Sequence, residues 1–452
     1  MVLQPEEAGR ATSVDEAGRS RQIRLAAVAS VVGTSIEWYD FFLYGTAAAI
    51  VFPAVFFPAS SSYAGTLESF ATYAVGFAAR PVGAAVFGHW GDRLGRKATL
   101  IITLLMMGLA SALVGVLPGT SAIGIAAPIL LIILRILQGI AVGGEWSGSV
   151  LLSMEWGKQH RRGLMASWPQ IGVPIGLLLG TGMMTAIALA APDAFKAWAW
   201  RIPFLASLVL VAIGLWVRLK VLETPLFAEL VKKQDLVKVP VAAVIRRYPK
   251  QIALCALLRM SEQAPFYLYT AFALAYIKEH LGKPQSVGLA AVTVAAALEL
   301  FLIPTFGNLS DRLGRRRVYS TGALWTAAAA FPFLALMNTG AVGLIILGVV
   351  IIAIGHSMQY GPQSSYIAEQ FPTRLAYAGS GLGYQAASLI AGGPAPLLAT
   401  WMLSAFGWQA IAVYIIACVV LTLIAAALLP DRSRADLAEV PVLTPAGRAA
   451  GR

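Results

Sequence analysis

Apolar residues are gathered into twelve runs: 25–52, 64–87, 98–117, 128–156, 164–190 and 201–219, then 251–277, 286–306, 318–337, 342–366, 377–402 and 408–429. Runs of ~20 such residues match the hydrocarbon thickness of a bilayer when helical. An open strand cannot satisfy its backbone in lipid, so each run is predicted as a helix. The expected fold class is therefore all-α integral membrane, with twelve transmembrane helices in two pseudo-symmetric six-helix bundles. The interval 220–250 is the main polar break, with Lys232, Lys233, Lys238, Arg246, Arg247, Pro225 and Pro240. It divides the chain into an N-terminal tail (1–24), a first bundle (25–219), a linker (220–250), a second bundle (251–429) and a C-terminal tail (430–452).

Composition narrows the class. The chain is 58% hydrophobic and 12% charged, with a mean hydropathy of +0.73; soluble domains run nearer half apolar and a quarter charged. No polar stretch is long enough for an extramembrane catalytic domain, and an enzyme is not expected. The net charge of +12 would suit an acidic partner, but its placement reports topology instead. With the N-terminus inside, 27 of the 34 Lys and Arg fall in inside loops and tails, and only Lys196, Lys278 and Lys283 fall outside. That is the positive-inside bias, so both termini are expected in the cytoplasm and nucleic acid is not an expected partner. The first 24 residues include Arg10, Arg19, Arg21 and Arg24, without a small-residue cleavage site after them. They read as a tail before a retained helix. Cys255 and Cys418 lack metal-ligand spacing, and no metal site is expected.

A repeat supports the two halves. GHWGDRLGRK at 88–97 recurs as GNLSDRLGRR at 307–316, 219 residues later, each between the second and third spans of its half. A weaker echo pairs Glu155 and the following Arg161–Gly163 with Glu369 and Arg374. Parallel half-repeats in a helical membrane protein suit a two-bundle transporter with a central site.

These loops, with GTSIEWYDFFLYG (33–45), ARPVG (79–83), RILQGIAVGGEW (135–146), WRIPF (200–204) and EQFPTR (369–374), carry a resemblance. From about residue 25 to 430 the chain resembles the major facilitator superfamily and, within it, the metabolite:proton symporter family. That family includes shikimate, 2-oxoglutarate, citrate and proline/betaine permeases, and the 33–45 stretch looks most like the shikimate-type branch. Trp146, Ser147, Gly148 and Ser149 depart from the glycine pairs common there. The resemblance implies import of a small organic acid with protons, by alternating access, across a bacterial inner membrane. A proton-coupled osmolyte permease for proline or betaine is the alternative. No P-loop is present, so no cofactor is expected and protons are the coupling ion. One chain holds both halves, so a monomer suffices.

Charges within the spans carry the candidate chemistry. Each costs ~2.5–3.5 kcal/mol at the bilayer centre unless it faces a partner or a cavity. Glu37 and Asp40 are three apart on one helical face, and neighbouring buried carboxylates raise each other's proton affinity. By resemblance, Asp40 and Arg135 occupy the places of an acid–arginine proton couple; Glu145 joins Glu37 in the expected proton-coupling set. In the repeat register Asp40 matches Arg259, and Arg80 matches Glu299, with the sign of charge reversed. One reading gives each half an acid–base pair between its first two spans; the other is two independent structural bridges. Arg80 is the first candidate for a substrate carboxylate, because a guanidinium fork matches it bidentately. Arg259, with Glu262 three residues on, is a further candidate. Tyr44, Gln138, Gln170, Tyr267, His356, Gln359, Tyr360 and Tyr384 complete the expected pocket. In the repeated loops Gly88 permits close helix approach, and Asp92 and Asp311 can take the amides of a helix N-terminus. Arg93, Arg96, Arg312 and Arg315 are the basic partners, with Arg96 set to meet Glu155 and Arg315 to meet Glu369, as a gate.

Overall fold

A computed structural model describes residues 15–59, 62–233, 235 and 237–435. The outer parts of both tails, 1–14 and 436–452, lie outside the described residues. The described residues form helices and turns without a strand. Nine of these helices are long and apolar enough to cross a membrane, among them Arg96–Val116, Ala126–Trp156, Gln285–Leu313 and Val342–Ala368. The remaining expected spans are helical too: Glu16–Ile50, Ser62–Leu94 and an interrupted run from Pro249 to His280. The first helix starts ahead of its apolar run because Asp15 caps it, its carboxylate accepting from the Gly18 amide at 2.9 Å.

The chain divides into two compact units. One holds Met1–Trp156 and Gly172–Lys238; the other holds Gly157–Ile171 and Val239–Arg452. The segment 157–171, expected with the first bundle, thus packs in the second unit. Its polar chemistry explains this. Asp311 accepts from the Gly163 and Leu164 amides, and the Ser364 hydroxyl donates to the Ala166 carbonyl at 2.6 Å. The polar break is not extended: short helices Pro225–Lys232 and Pro240–Arg247 form within it, each opened by its proline.

In the first unit the second and fourth helices pack through small residues. A Cβ on Gly139 would stand 2.3 Å from the Gly76 carbonyl oxygen, and one on Gly143 2.1 Å from that of Arg80. Only glycine permits this approach, and it sets Arg80 and Arg135 on neighbouring helices. In the second unit the run from Pro249 is broken at Arg259, between Pro249–Leu258 and Met260–Tyr267. Pro265 lacks the amide that would bond four residues back. Polar side chains from other helices take up the groups freed at the break. Tyr319 donates to the Leu258 carbonyl at 2.9 Å, and Thr422 accepts from the Ser261 amide at 3.0 Å.

Candidate functional site

The first unit holds a small cavity of about 10 Å³, lined by Glu37, Asp40, Phe41, Gly76, Arg80, Met107, Arg135, Gln138, Gly139 and Val142. That is room for one water, and too small for an organic acid in this conformation. Five of the sequence-predicted residues meet here. Ser207 donates to Asp40 Oδ1 at 2.7 Å, while Asp40 Oδ2 and Glu37 Oε2 have no partner. The Arg80 guanidinium lies 4.4 Å from the Phe77 ring centroid and 4.8 Å from that of Phe41. Arg135 lies 4.2 Å from the Tyr44 ring centroid and donates to Gln138 at 3.2 Å. Tyr44 itself is held by a 2.7 Å hydroxyl contact with Thr72.

The acid–base pair expected between the first two spans is not made. Neither Arg80 nor Arg135 forms an ion pair among the described residues, and the Nε of each is unpartnered. Aromatic faces hold both guanidinium groups in place of carboxylates, and Ser207 takes one oxygen of Asp40. Two acids and two arginines therefore share one buried space with hydrogen-bonding capacity unspent.

Glu145 does not line this cavity. It is ion-paired with Arg218, accepts from Thr103 at 2.9 Å and from Ser149 at 3.1 Å, and is fully buried. Arg218 also donates to the Leu100 carbonyl. This tie joins the third, fourth and sixth helices. Arg218 was hidden in the sequence because a cation near a span end reads as a topology anchor.

In the second unit the expected substrate-binding side chains are mostly spent on each other. Arg259 donates to Glu262 at 3.3 Å, to Gln363 at 3.2 Å, to the Tyr384 carbonyl at 2.5 Å and to Gln263, with the Tyr384 ring 3.3 Å away. Glu299, its expected local partner, instead meets His356 Nδ1 at 2.7 Å, and His356 Nε2 faces Glu262 at 3.3 Å. Gln359 accepts from Ser261 and donates to Thr326 at 2.9 Å. Gln170 donates to the Tyr360 carbonyl at 3.3 Å. The Tyr360 and Tyr384 hydroxyls are 3.5 Å apart, and Tyr267 is buried. Saturated donors of this kind are unavailable to a ligand unless the helices move.

The repeated loops build a polar cluster in each unit. Gly95 and Gly314, at φ +109° and +95°, make the turn into the following helix, a conformation that favours glycine. In the first unit Arg96 meets Glu155 at 3.3 Å, lies 3.7 Å from Asp92, and donates to the Gly91 carbonyl at 3.1 Å. In the second, Arg315 meets Asp311 at 2.7 Å and Glu369 at 3.1 Å. Asp311 also takes the Gly163 and Leu164 amides at 2.8 and 2.9 Å, where the helix Arg162–Ala190 begins. Gly88 is buried in the second helix, whereas Arg93 and Arg312 point outward and are exposed.

Three further charges belong to these clusters, of which only Arg162, inside the 161–163 echo, is marked in the sequence. Arg162 pairs with Glu369 at 3.4 Å. Glu223 accepts from the Arg96 and Lys97 amides, both at 3.2 Å, and Asp431 accepts from the Arg316 amide at 3.0 Å. Each acid follows the last helix of its half and caps the helix after the repeated loop. Burial pushes the Glu223 carboxyl above its ordinary value, against the amide bonds and the charge of Arg96. Burial also raises Asp431, but bonds from Ser433 and the Arg316 amide outweigh it and leave that carboxyl low.

Apolar helices with buried charge around a small cavity define a polytopic membrane protein. Among the described residues no cluster of His, Cys, Asp or Glu could hold a metal. Comparison with known proteins narrows the class. The profile "Sugar (and other) transporter" matches residues 25–239, and "Major Facilitator Superfamily" matches 256–444. The chain is 42% identical over 418 residues to the shikimate transporter of Escherichia coli (strain K12), covering 91% of this chain and 95% of that protein. It is 38% identical over 404 residues to the inner membrane metabolite transport protein YhjE of the same strain, covering 88% and 92%. The chain belongs to the major facilitator superfamily. A solved structure of the proton:xylose symporter XylE, bound to 6-bromo-6-deoxy-D-glucose, shares the fold. Its TM-score is 0.77 at 18% identity, over 93% of this chain and 99% of that one.

Proposed function

We infer that the protein is a proton-coupled symporter that carries a small organic acid of the shikimate type into a bacterial cell. In this reading it sits in the inner membrane with both termini in the cytoplasm, acts as a monomer, and needs no cofactor besides the coupling proton. The observation that carries it is the cavity of the first unit, where Asp40 and Glu37 each keep an unpartnered oxygen beside two unpaired arginines. A buried carboxylate without a fixed cation gains from taking a proton. A buried guanidinium without a fixed anion gains from meeting a carboxylate. Asp40 then holds the proton and Arg80 the substrate carboxylate. The length of the likeness to the shikimate transporter supports the substrate class. The loop clusters, Arg96 with Glu155 and Arg315 with Asp311 and Glu369, would hold one gate shut while the other opens.

The test is uptake of labelled shikimate by proteoliposomes under an inward proton gradient, with and without an uncoupler. Accumulation should need the gradient. Asp40→Asn should lose accumulation yet keep shikimate counterflow, and Arg80→Gln should lose both. Full accumulation by Asp40→Asn would sink the proton assignment, and accumulation indifferent to the uncoupler would sink the coupling.

A further inference from the structure

The second unit holds a cluster that the Asp40 cavity does not use. His356, on the helix Val342–Ala368, is 2% exposed and has a carboxylate oxygen at each ring nitrogen. Nδ1 lies 2.7 Å from Glu299 Oε1 and Nε2 lies 3.3 Å from Glu262 Oε1. The ring is stacked between Phe266 and Tyr360, with centroids 5.0 and 4.9 Å away. Neighbouring helices contribute to the electrostatics, and the Tyr269 hydroxyl lies 3.4 Å from His356 Nδ1. Arg259 reaches Glu262 at 3.3 Å, Gln363 donates to the same carboxylate at 2.8 Å, and Tyr269 donates to Glu299 at 2.8 Å. Gln363 also donates to the Tyr319 hydroxyl at 3.0 Å, and the Tyr360 and Tyr384 hydroxyls are 3.5 Å apart.

Hydrogen-bond arithmetic decides what this arrangement holds. A neutral imidazole has one donor and one acceptor nitrogen, whereas ionised carboxylates only accept. With a neutral ring, one nitrogen lone pair would face a carboxylate oxygen. A second ring proton removes that conflict and turns both edges into donors. It also balances charge while both carboxylates stay ionised: Arg259 and a cationic His356 offset Glu262 and Glu299, whereas a neutral ring between two ionised carboxylates leaves a net negative charge buried, at high cost. The two aromatic faces favour a cation between them.

We propose that Glu262, His356 and Glu299 form a second proton-binding site, distinct from Asp40, with the proton carried on His356 and exchanged once per transport cycle. The exchange rests on the symport reading above; the site itself does not. Glu299→Gln removes one negative charge and with it the need for the extra proton.

Two readouts on reconstituted protein test this. In ¹⁵N-histidine NMR the His356 signal is the one lost in His356→Gln; of the other three histidines, His160 and His280 are exposed and His89 is half-buried. At about pH 7.5, above the ordinary histidine range, the wild-type His356 signal should be that of a doubly protonated ring and should become neutral in Glu299→Gln. In vesicles, one coupled proton multiplies the limiting accumulation by about tenfold for each imposed pH unit. Glu299→Gln should lose that factor while shikimate counterflow persists. A neutral His356 in the wild type overturns the site. An unchanged accumulation limit in both Glu299→Gln and His356→Gln overturns the exchange. A protonated ring in vesicles that move no shikimate upholds the site and refutes only the substrate reading.

Discussion

Asp311→Asn isolates the contact that ties the segment 157–171 into the second unit. The Asp311 carboxylate accepts three charged or dipolar donors: the Gly163 amide at 2.8 Å, the Leu164 amide at 2.9 Å and Arg315 at 2.7 Å. Asparagine keeps one acceptor oxygen, presents donors where the other stood, and carries no charge. One hydrogen bond to a charged group contributes about 1.5–3 kcal/mol, and the charge at a helix N-terminus about 0.3–1 kcal/mol more. The expected loss is about 2–4 kcal/mol, which raises the undocked fraction about 30- to 700-fold at 1.4 kcal/mol per decade. Ser167, one helical turn on, is fully buried against this docking site and serves as a reporter once changed to cysteine. Background is low because Cys255 and Cys418 are buried. Maleimide labelling of Ser167→Cys should be slow and should accelerate on adding Asp311→Asn, roughly as the undocked fraction when opening is fast. A labelling rate that does not change would refute the docking role.

Other outcomes follow from the buried charges. Glu145→Ala strands Arg218 without its anion and should destabilise the protein by about 3–5 kcal/mol; thermal melts in detergent should show Glu145→Ala with Arg218→Met recovering part of it. Equal loss in the single and double variants would show that the pair is not the cause. Asp431, held low when folded, adds stability above its unfolded value that is lost as pH falls through the folded one. The wild-type advantage over Asp431→Asn should therefore shrink below about pH 4. Glu223, held high, has the opposite sign: its contribution is present at low pH and lost as pH rises through the folded value. Wild type should gain on Glu223→Gln on acidification; an advantage that stays constant from about pH 8 to pH 4 would contradict the Glu223 assignment, and one over Asp431→Asn that stays constant below about pH 4 would contradict the Asp431 assignment.

Most of the helices could be read from the sequence because a span of lipid demands a long apolar run. The pairing of Arg96 with Glu155 and of Arg315 with Glu369 could be read because each loop carries bases that need an acid on a neighbouring element. What could not be read depends on who spends which hydrogen bond. Gln359 looks like a free amide in the sequence, yet both ends of its side chain are used by Ser261, Thr326 and the Gly355 carbonyl. The break at Arg259 was hidden because Leu254, Cys255 and Ala256 continue the apolar pattern up to it. Glu223 and Asp431 were passed over because a single acid in a polar stretch gives no periodic signal.

The reversed charges of the repeat register gain a meaning in the structure different from a pair within each half. Arg259 has Glu262 three residues on, whereas Asp40 has Leu43 at the matching place. An i,i+3 partner lies on the same helix face, so Arg259 is neutralised locally and then gathers Gln263, Gln363 and the Tyr384 carbonyl around it. Asp40 has no such partner and is met by the Ser207 hydroxyl rather than by a cation, leaving one oxygen unspent. The same asymmetry repeats one helix later. Glu299 is engaged by His356 and Tyr269, whereas Arg80 is held only against aromatic rings. Burial penalises unspent charge far more than spent charge, so the first unit carries the charges with most to gain from a proton or an anion. One residue in each half, glutamate at 262 and leucine at 43, decides where that capacity resides.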